Sequence, residues 1–264
     1  MRGNTAWLLT ALLFAAARVS CMEKTTEEAI REIDGLYESG MGGNHDANGM
    51  RRLEESLSLC RSALERDPRS YELLWRGARS AVELAETARI LETSGWQGLF
   101  GDCGRMAIQW TDTAKLESPD RVEGHYWQLS AIGLIFDAGD WLAVLSQGLA
   151  DKAKQDMEAA YRIDRSYLDY TPVFAMAMYW FSLPPWMGRD THRAMAYLEE
   201  YVSLSAWRFE PYRKYPKAAA LLLEVGTEAA QARAKALLDA ALSDPTPRAW
   251  YYRQARELRD RLPR

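Results

Sequence analysis

The chain has 264 residues, of which 48% are hydrophobic and 27% are charged, a balance typical of a folded globular protein and not of a disordered one. Its net charge of −4, with no run of Lys or Arg, argues against a nucleic-acid-binding protein. The 10 Trp and 13 Tyr outnumber the 6 Phe, and side chains with an apolar body and a polar tip favour half-buried surfaces and grooves.

Residues 1–20 are predicted to be a signal peptide. Their apolar run over residues 6–17 is too short to span a bilayer but has the length of a signal-peptide core. A serine directly before Cys21 resembles the lipobox of bacterial lipoproteins, which implies lipidation of Cys21 and a lipid anchor in the bacterial periplasm. Arg18 departs from that pattern, which has Leu or another apolar residue there. The alternative is an ordinary signal peptide cut before an unlipidated thiol, and in either case residues 21–264 form the folded domain.

One pattern recurs along the rest of the chain: a small residue, a large one, Ala and then Pro, at spacings of four, three and five residues. It is typical of the second helix of a tetratricopeptide repeat (TPR), where small residues let two antiparallel helices approach and Pro ends the helix. The copies contain Ser56, Cys60, Ala63 and Pro68; Ala107, Thr111, Ala114 and Pro119; Ala153, Met157, Ala160 and Arg165; Ala194, Leu198 and Tyr201; and Leu237, Ala240 and Pro245.

Equivalent positions of these copies lie 39 to 51 residues apart, whereas the standard TPR period is about 34 residues. The difference predicts insertions between paired helices, at residues 94–104, 139–148 and 183–189. No window alternates with the period of a β-strand, and a last helix over residues 247–262 is expected to cap the stack. We therefore predict an all-α solenoid of about five TPR-like helical hairpins.

Cys60 and Cys103 are the two cysteines beyond residue 21. An even pair in an exported protein is compatible with a disulfide, but Cys60 falls on the apolar face of a helix and Cys103 in a predicted loop. This placement favours two free thiols and leaves the pairing open.

No sequence motif indicates catalysis. The chain has only three histidines, His45, His125 and His192, which fall in different repeats, and it contains no HExxH, CxxC, GxSxG or phosphate-loop signature. Adjacent acid pairs such as Glu54–Glu55 point to different sides of a helix and are typical of a solvated face. We predict a binding protein that is not an enzyme and needs no metal or cofactor.

The binding surface is predicted on the first helix of each hairpin, which lines the concave face of a TPR solenoid. The expected register places aromatic, sulfur-containing and polar side chains there, which suits an apolar ligand or a segment of a partner chain. The alternative is that some of these aromatic rings pack against the inserted loops. The predicted groove residues are Trp75, Arg79, Tyr126, Ser130, Met176 and Tyr179.

The stretch of residues 166–205 resembles the signature region of the TPR-type T-component of TRAP transporters. In that family a helix ending in aromatic-x-x-x-Pro leads to a Gly-x-Asp turn and an Ala-containing helix, and here these positions are Trp180, Pro184, Gly188, Asp190 and Ala194. The lipoprotein-like start, the insertions and the length agree with the same family. The chain departs from it at Arg18 of the lipobox and by an Arg in place of the Pro that ends the third copy.

The resemblance implies a homotrimeric periplasmic lipoprotein that binds the substrate-binding P subunit of a TRAP transporter and holds a hydrophobic or organic-acid ligand. Membrane attachment would be through the N-terminal lipid. The alternative function is a free-standing TPR scaffold for the assembly of envelope proteins. The two differ in oligomeric state and in partner, which the sequence does not specify.

Overall fold

The computed structural model describes residues 24–41, 46–139, 146–243 and 249–262, so the predicted signal peptide and Cys21 lie outside it. These ranges hold eleven α-helices, one turn of 3₁₀-helix at Pro185–Met187 and no strand, which confirms the predicted all-α class. The helices are α1 (Thr26–Met41), α2 (Ala47–Arg66), α3 (Tyr71–Ile90), α4 (Trp96–Glu117), α5 (Val122–Asp137), α6 (Leu149–Asp164), α7 (Tyr167–Ser182), α8 (Thr191–Leu204), α9 (Pro211–Val225), α10 (Glu228–Leu242) and α11 (Ala249–Asp260).

Local side chains fix where several helices begin. Asp46, Asp190 and Thr227 each accept a hydrogen bond from a backbone N–H in the first turn of α2, α8 and α10, respectively. Gly226 ends α9 with a φ of 74°, a left-handed conformation that favours glycine. Short polar and glycine signals therefore encode three of the helix starts and the end of α9.

Consecutive helices pack as hairpins, α1 with α2, α3 with α4, α5 with α6, α7 with α8, and α9 with α10. The small positions of the repeat pattern form the contacts inside them: Ser56, Cys60, Ala107, Thr111, Ala114, Met157 and Ala160 are all fully buried. Two large cores result, one among α1–α6 and one among α7–α11. About five stacked hairpins are thus observed.

The solenoid curls until its C-terminal part contacts its beginning. Helix α9 lies against α3, where Arg213 pairs with Glu83 across 130 residues of sequence. Helix α11 also packs on α3, where the Tyr251 hydroxyl lies 2.6 Å from Arg89. These contacts lie across part of the inner face of the first hairpins, so the interior is a partly covered, half-open cavity.

The first predicted insertion is helical, and the expectation of a loop around Cys103 is wrong. Helix α4 begins at Trp96 because the rings of Trp96 and Phe100 pack edge to face at 5.0 Å, and Phe100 is fully buried. Cys103 consequently lies in α4. The second insertion falls partly on residues 140–145, outside the described residues, and the third forms the connection that carries the 3₁₀ turn.

The register predicted for the fifth copy is also wrong. Ala240 is exposed and Leu237 only partly buried, whereas Ala230, Ala234 and Leu238 face the core. The prediction was anchored on Pro245, which lies outside the described residues. The buried positions of α10 instead repeat every four residues, because the helix is capped at Thr227 and packs that stripe on α9. Within the described ranges, no helix combines the length and the apolarity needed to cross a membrane.

Candidate functional site

A cavity of about 460 Å³ lies where α3, α5, α7 and α9 face each other. Helices α5 and α7 form an apolar wall, and α3 and α9 contribute most of the charged groups. The volume is in the range of small-molecule sites, and a mostly apolar lining with a few polar groups is their usual composition. The apolar wall includes Tyr126, Leu129, Ile132, Phe136, Phe174 and Met178.

Each carboxylate on the charged wall is held by an arginine. Glu83 and Glu210 lie 2.6 and 3.1 Å from Arg213. Farther along α3, Arg89 donates to Glu86 and to Asp137, at 2.7 and 2.6 Å. Because these acids accept from guanidinium groups, much of their negative charge and hydrogen-bonding capacity is already used.

Glu83 and Glu86, one turn apart on α3, have pKa values shifted in opposite directions. Burial is the main cause that raises the pKa of Glu83 to about 8. The Arg213 guanidinium reduces this increase, and the Glu210 carboxylate adds to it. Burial also acts on Glu86, but the nearby Arg213 and Arg89 outweigh it and lower its pKa to about 2. The wall therefore contains one carboxyl that readily holds a proton beside one that stays ionised.

Lys214 is the buried ammonium of this wall. Its residue is 3% exposed, and Nζ donates a hydrogen bond to the Thr171 hydroxyl at 2.7 Å. Burial lowers the pKa of its ammonium to about 8, and the carboxylates of Glu210 and Asp169 offset part of this decrease. Within the part of the chain that the structure describes, Lys214 forms no ion pair.

The backbone next to the cavity is strained. Residues 168–170 at the start of α7 have φ values of 47°, 57° and 60°, a left-handed conformation that non-glycine residues rarely adopt. The Asp169 carboxylate compensates by accepting hydrogen bonds from the Ser205 hydroxyl at 2.8 Å and the Arg208 amide at 2.7 Å. This junction ties α7 to the segment before α9 and thereby positions Thr171 next to Lys214.

A second cavity of about 470 Å³ lies beside the first, between α11 and the helices α3, α4, α7 and α9. The two cavities share four lining residues: Asp137, Met178, Ser182 and Lys217. Lys217 is exposed, in contrast to Lys214, and it forms no ion pair with the described residues. The neck between the cavities thus carries a solvated cation.

Three of the six predicted groove residues line the first cavity, namely Tyr126, Ser130 and Tyr179. Met176 is 3% exposed and packs inside the protein, away from the cavity lining. The structure therefore brings half of the predicted set together around one space. Whether these residues bind a ligand stays a prediction.

Trp75 and Arg79 lie elsewhere, in a network that joins α3 to α1. The Trp75 indole donates to Glu72 at 2.9 Å. Arg79 pairs with Asp34 at 2.7 Å and lies over the Tyr37 ring at 3.7 Å. Internal partners occupy both polar groups, because α1 packs across the face where the groove was predicted.

Sequence reasoning did not identify the charged residues that α9 brings to the cavity. A signal was present: Lys214 falls on the same helical stripe as Ala218, Leu221 and Leu222, which are at most 1% exposed. A lysine on such a stripe is uncommon unless it has a specific role. Its contact with Thr171, in contrast, depends on the curl of the solenoid.

The cysteines and histidines have structural environments. Cys60 and Cys103 are free and buried, and burial raises the pKa of their thiols to about 12 and about 11, respectively. Such thiols are poor nucleophiles. His125 bonds through its two ring nitrogens to Asp156 and to the Pro119 carbonyl, and no cluster of metal-binding side chains occurs among the described residues.

Comparison with known proteins extends the fold assignment. No protein-family model matches the chain, and no curated protein matches its sequence. The crystal structure of a thermophilic TPR protein from Thermus thermophilus is similar, with a TM-score of 0.54, 18% identity, and coverage of 84% of this chain and 98% of that one. The fold is that of a TPR-like helical repeat.

A de novo designed helical repeat protein is more distantly similar, with a TM-score of 0.29, 15% identity, and coverage of 89% of this chain and 96% of the design. At these identities the similarity concerns the fold alone. TPR-like folds are repeat scaffolds suited to protein–protein contact.

Proposed function

We propose that the protein is a periplasmic, lipid-anchored accessory subunit of a TRAP-type transporter that binds the P subunit and holds a small amphipathic organic acid. The observation that carries this proposal is the cavity lined by α3, α5, α7 and α9. A TPR-like chain that serves only as a peptide-binding scaffold needs an open concave face. Here α9 and α11 lie across part of that face and leave a half-open cavity of small-molecule size.

The lining favours an amphipathic acid as the ligand. Aromatic and aliphatic side chains of α5 and α7 would bury a hydrocarbon part, whose transfer from water contributes about 0.8 kcal/mol per methylene. The carboxylates of the opposite wall are paired with arginines, whereas Lys214 and Lys217 retain free N–H donors. Free donors beside an apolar wall suit a ligand with one anionic end.

Two further features support the transporter role. The segment that resembles the T-component, residues 166–205, comprises α7, the connection after it and α8. In that connection the Asp190 amide donates to the Trp180 carbonyl at 3.2 Å, and the Asp190 side chain caps α8. Trp186 in this connection is 71% exposed and offers an apolar contact to a partner. A lipid on Cys21 would hold α1, which begins at Thr26, close to the membrane.

The test combines mass and binding measurements on protein carrying Cys21→Ser, which prevents lipidation. Light scattering during size exclusion gives the molar mass with and without a candidate P subunit. A mass near three chains that rises in fixed proportion with the P subunit supports the proposal. A strict monomer that ignores this partner contradicts the trimeric transporter subunit and favours the free-standing scaffold for envelope proteins.

Calorimetric titration with octanoate then examines the cavity. Micromolar binding that is lost when Ile132, on the apolar wall, is replaced by the larger Trp locates the ligand in the cavity. The matched control is Leu116→Trp, because Leu116 is 81% exposed on α4. Anchoring is measured separately, as the membrane-bound fraction of the unmodified chain and of the Cys21→Ser variant in a bacterial host.

A further inference from the structure

Lys214 differs from every other charged side chain of the first cavity in being buried and without an ion pair among the described residues. Glu83, Glu86, Glu210 and Asp137 are each bound by an arginine, and Lys217 is exposed to solvent. A buried charge is normally paired, because the loss of hydration is otherwise uncompensated. The position of Lys214 therefore calls for a functional explanation.

The surroundings of its ammonium are aromatic. Nζ lies 5.8, 5.1 and 5.2 Å from the ring centroids of Phe174, Tyr201 and Phe209, respectively. These rings stabilise a cation through their faces but cannot accept its protons in strong hydrogen bonds. The one hydrogen-bond acceptor that the structure gives it is the Thr171 hydroxyl, so two of its three N–H donors remain unused.

Lys214, on α9, and Thr171, on α7, both line the cavity, together with the apolar side chains of α5 and α7. We propose that Lys214 is the anchor for the carboxylate of a monocarboxylic acid, with the hydrocarbon part of the ligand lying along α5 and α7. This inference rests on the proposed ligand binding and specifies its chemical class. The ligand carboxylate would accept the free N–H donors of Lys214, with the Thr171 hydroxyl adjacent.

The same wall excludes a second negative charge. Glu83, Glu86 and Glu210 line the same cavity as Lys214, and the arginines that bind them are already shared among them and Asp137. A second carboxylate on the ligand would lie either near these acids or against the apolar wall, and both positions are unfavourable. We therefore expect monocarboxylates to bind and dicarboxylates of equal length to be rejected.

The test is calorimetric titration of the protein with octanoate, 1-octanol and octanedioate. The wild type is expected to bind octanoate at least tenfold more tightly than either of the other two. Lys214→Met should reduce octanoate affinity at least tenfold and change 1-octanol affinity less than threefold. Lys235→Met, at an exposed position of α10 that lines neither cavity, is the control and should change octanoate affinity less than threefold. Lys217→Met tests the other free ammonium of the cavity lining as a competing anchor.

A second measurement needs no variant and so does not depend on how well Lys214→Met folds. The N-hydroxysuccinimide ester of octanoic acid places an acylating carbonyl where the carboxylate would lie. The amine attacks that carbonyl, N-hydroxysuccinimide leaves, and the amine loses a proton to solvent as the amide forms. Mass spectrometry of peptides should find octanoylation at Lys214, and excess octanoate should suppress it more strongly than at exposed lysines.

The outcomes separate this inference from the function on which it rests. Equal octanoate affinity in the wild type and Lys214→Met, or loss of binding in Lys217→Met instead, would overturn the anchor while leaving a ligand cavity. Unsuppressed labelling or none at Lys214 would overturn it as well. A wild type that binds neither octanoate nor 1-octanol would remove the proposed ligand site itself, and with it the anchor.

Discussion

Replacing Lys214 with Met is expected to make the folded protein more stable. The residue is 3% exposed, and burial lowers the pKa of its ammonium from the ordinary 10.5 to about 8. At about 1.36 kcal/mol per pH unit, this interval corresponds to about 3 kcal/mol of destabilisation when the lysine is protonated. Met has a similar length and no charge, so it removes this term without leaving a large cavity.

Two losses offset part of the gain. The ammonium contacts of the Phe174, Tyr201 and Phe209 rings are together worth on the order of 1 kcal/mol at these distances. The Thr171 hydroxyl loses one partner but still donates to the Leu168 carbonyl, so it is not left unsatisfied. The expected net change is a stabilisation of about 2 kcal/mol at pH 7, which raises Tm by about 4–8 °C in a chain of this size.

The pH dependence of stability tests independently whether Lys214→Met stabilises the folded protein. A lysine whose folded pKa lies below its unfolded pKa destabilises the fold in full below about pH 8. That penalty disappears as the pH rises from about 8 to 10.5, where the folded state has released the proton and the unfolded state still holds it. The stability difference between Lys214→Met and wild type should therefore be constant below pH 8 and shrink above it.

Urea denaturation followed by tryptophan fluorescence, from pH 6 to pH 10, measures this difference. Comparing the two proteins at each pH cancels the titration of the buried tyrosines, which both share. Lys217→Met, at an exposed position on the same helix, should change stability by less than about 0.5 kcal/mol. A Lys214→Met protein that is less stable than wild type at pH 7, or a difference that does not vary with pH, would refute the reasoning.

Two further predictions concern α4 and α3. Gly104→Ala should lower the free energy of unfolding by about 1–3 kcal/mol in urea denaturation, because the added Cβ would lie 2.7 Å from Ile135 Cδ1. At Gly98, in the same helix, an added Cβ meets nothing within 4 Å, so Gly98→Ala should raise the free energy of unfolding by about 0.5–1 kcal/mol. Glu86→Gln should destabilise by about 3 kcal/mol at pH 7, since it weakens the buried pair with Arg89. Because the pKa of Glu86 is lowered to about 2, the wild type should lose this stabilisation as the pH falls from 4.5 towards 2. The Glu86→Gln variant should not lose it. Equal acid sensitivity of the two proteins would contradict the lowered pKa of Glu86.

The sequence by itself determined the class and the repeat organisation. Positions such as Ser56, Cys60, Ala107 and Thr111 are spaced at helical intervals, and only small or compact side chains fit where two helices of a hairpin touch. These contacts are local, so the residues that make them recur at regular spacing and are visible in the chain.

Local patterns were misleading where an insertion joined a helix or a terminal repeat departed from the pattern. Helix α4 begins eight residues before Gly104 because Trp96 and Phe100 find a packing partner in each other, a fact that a glycine-rich stretch does not reveal. In α10 the proline after the helix suggested a register that the buried face does not follow. In both cases tertiary packing overrode local signals.

The site was decided by the tertiary structure. Glu83 and Arg213 are 130 residues apart, and Arg89 and Tyr251 are 162 apart, so no spacing rule connects them. They meet because small rotations between successive hairpins add up until α9 and α11 reach α3. That accumulated curvature narrows the predicted groove to a partly covered cavity and places Lys214 on its wall. Trp75 and Arg79 lie outside this cavity because they bond to groups of α3 and α1.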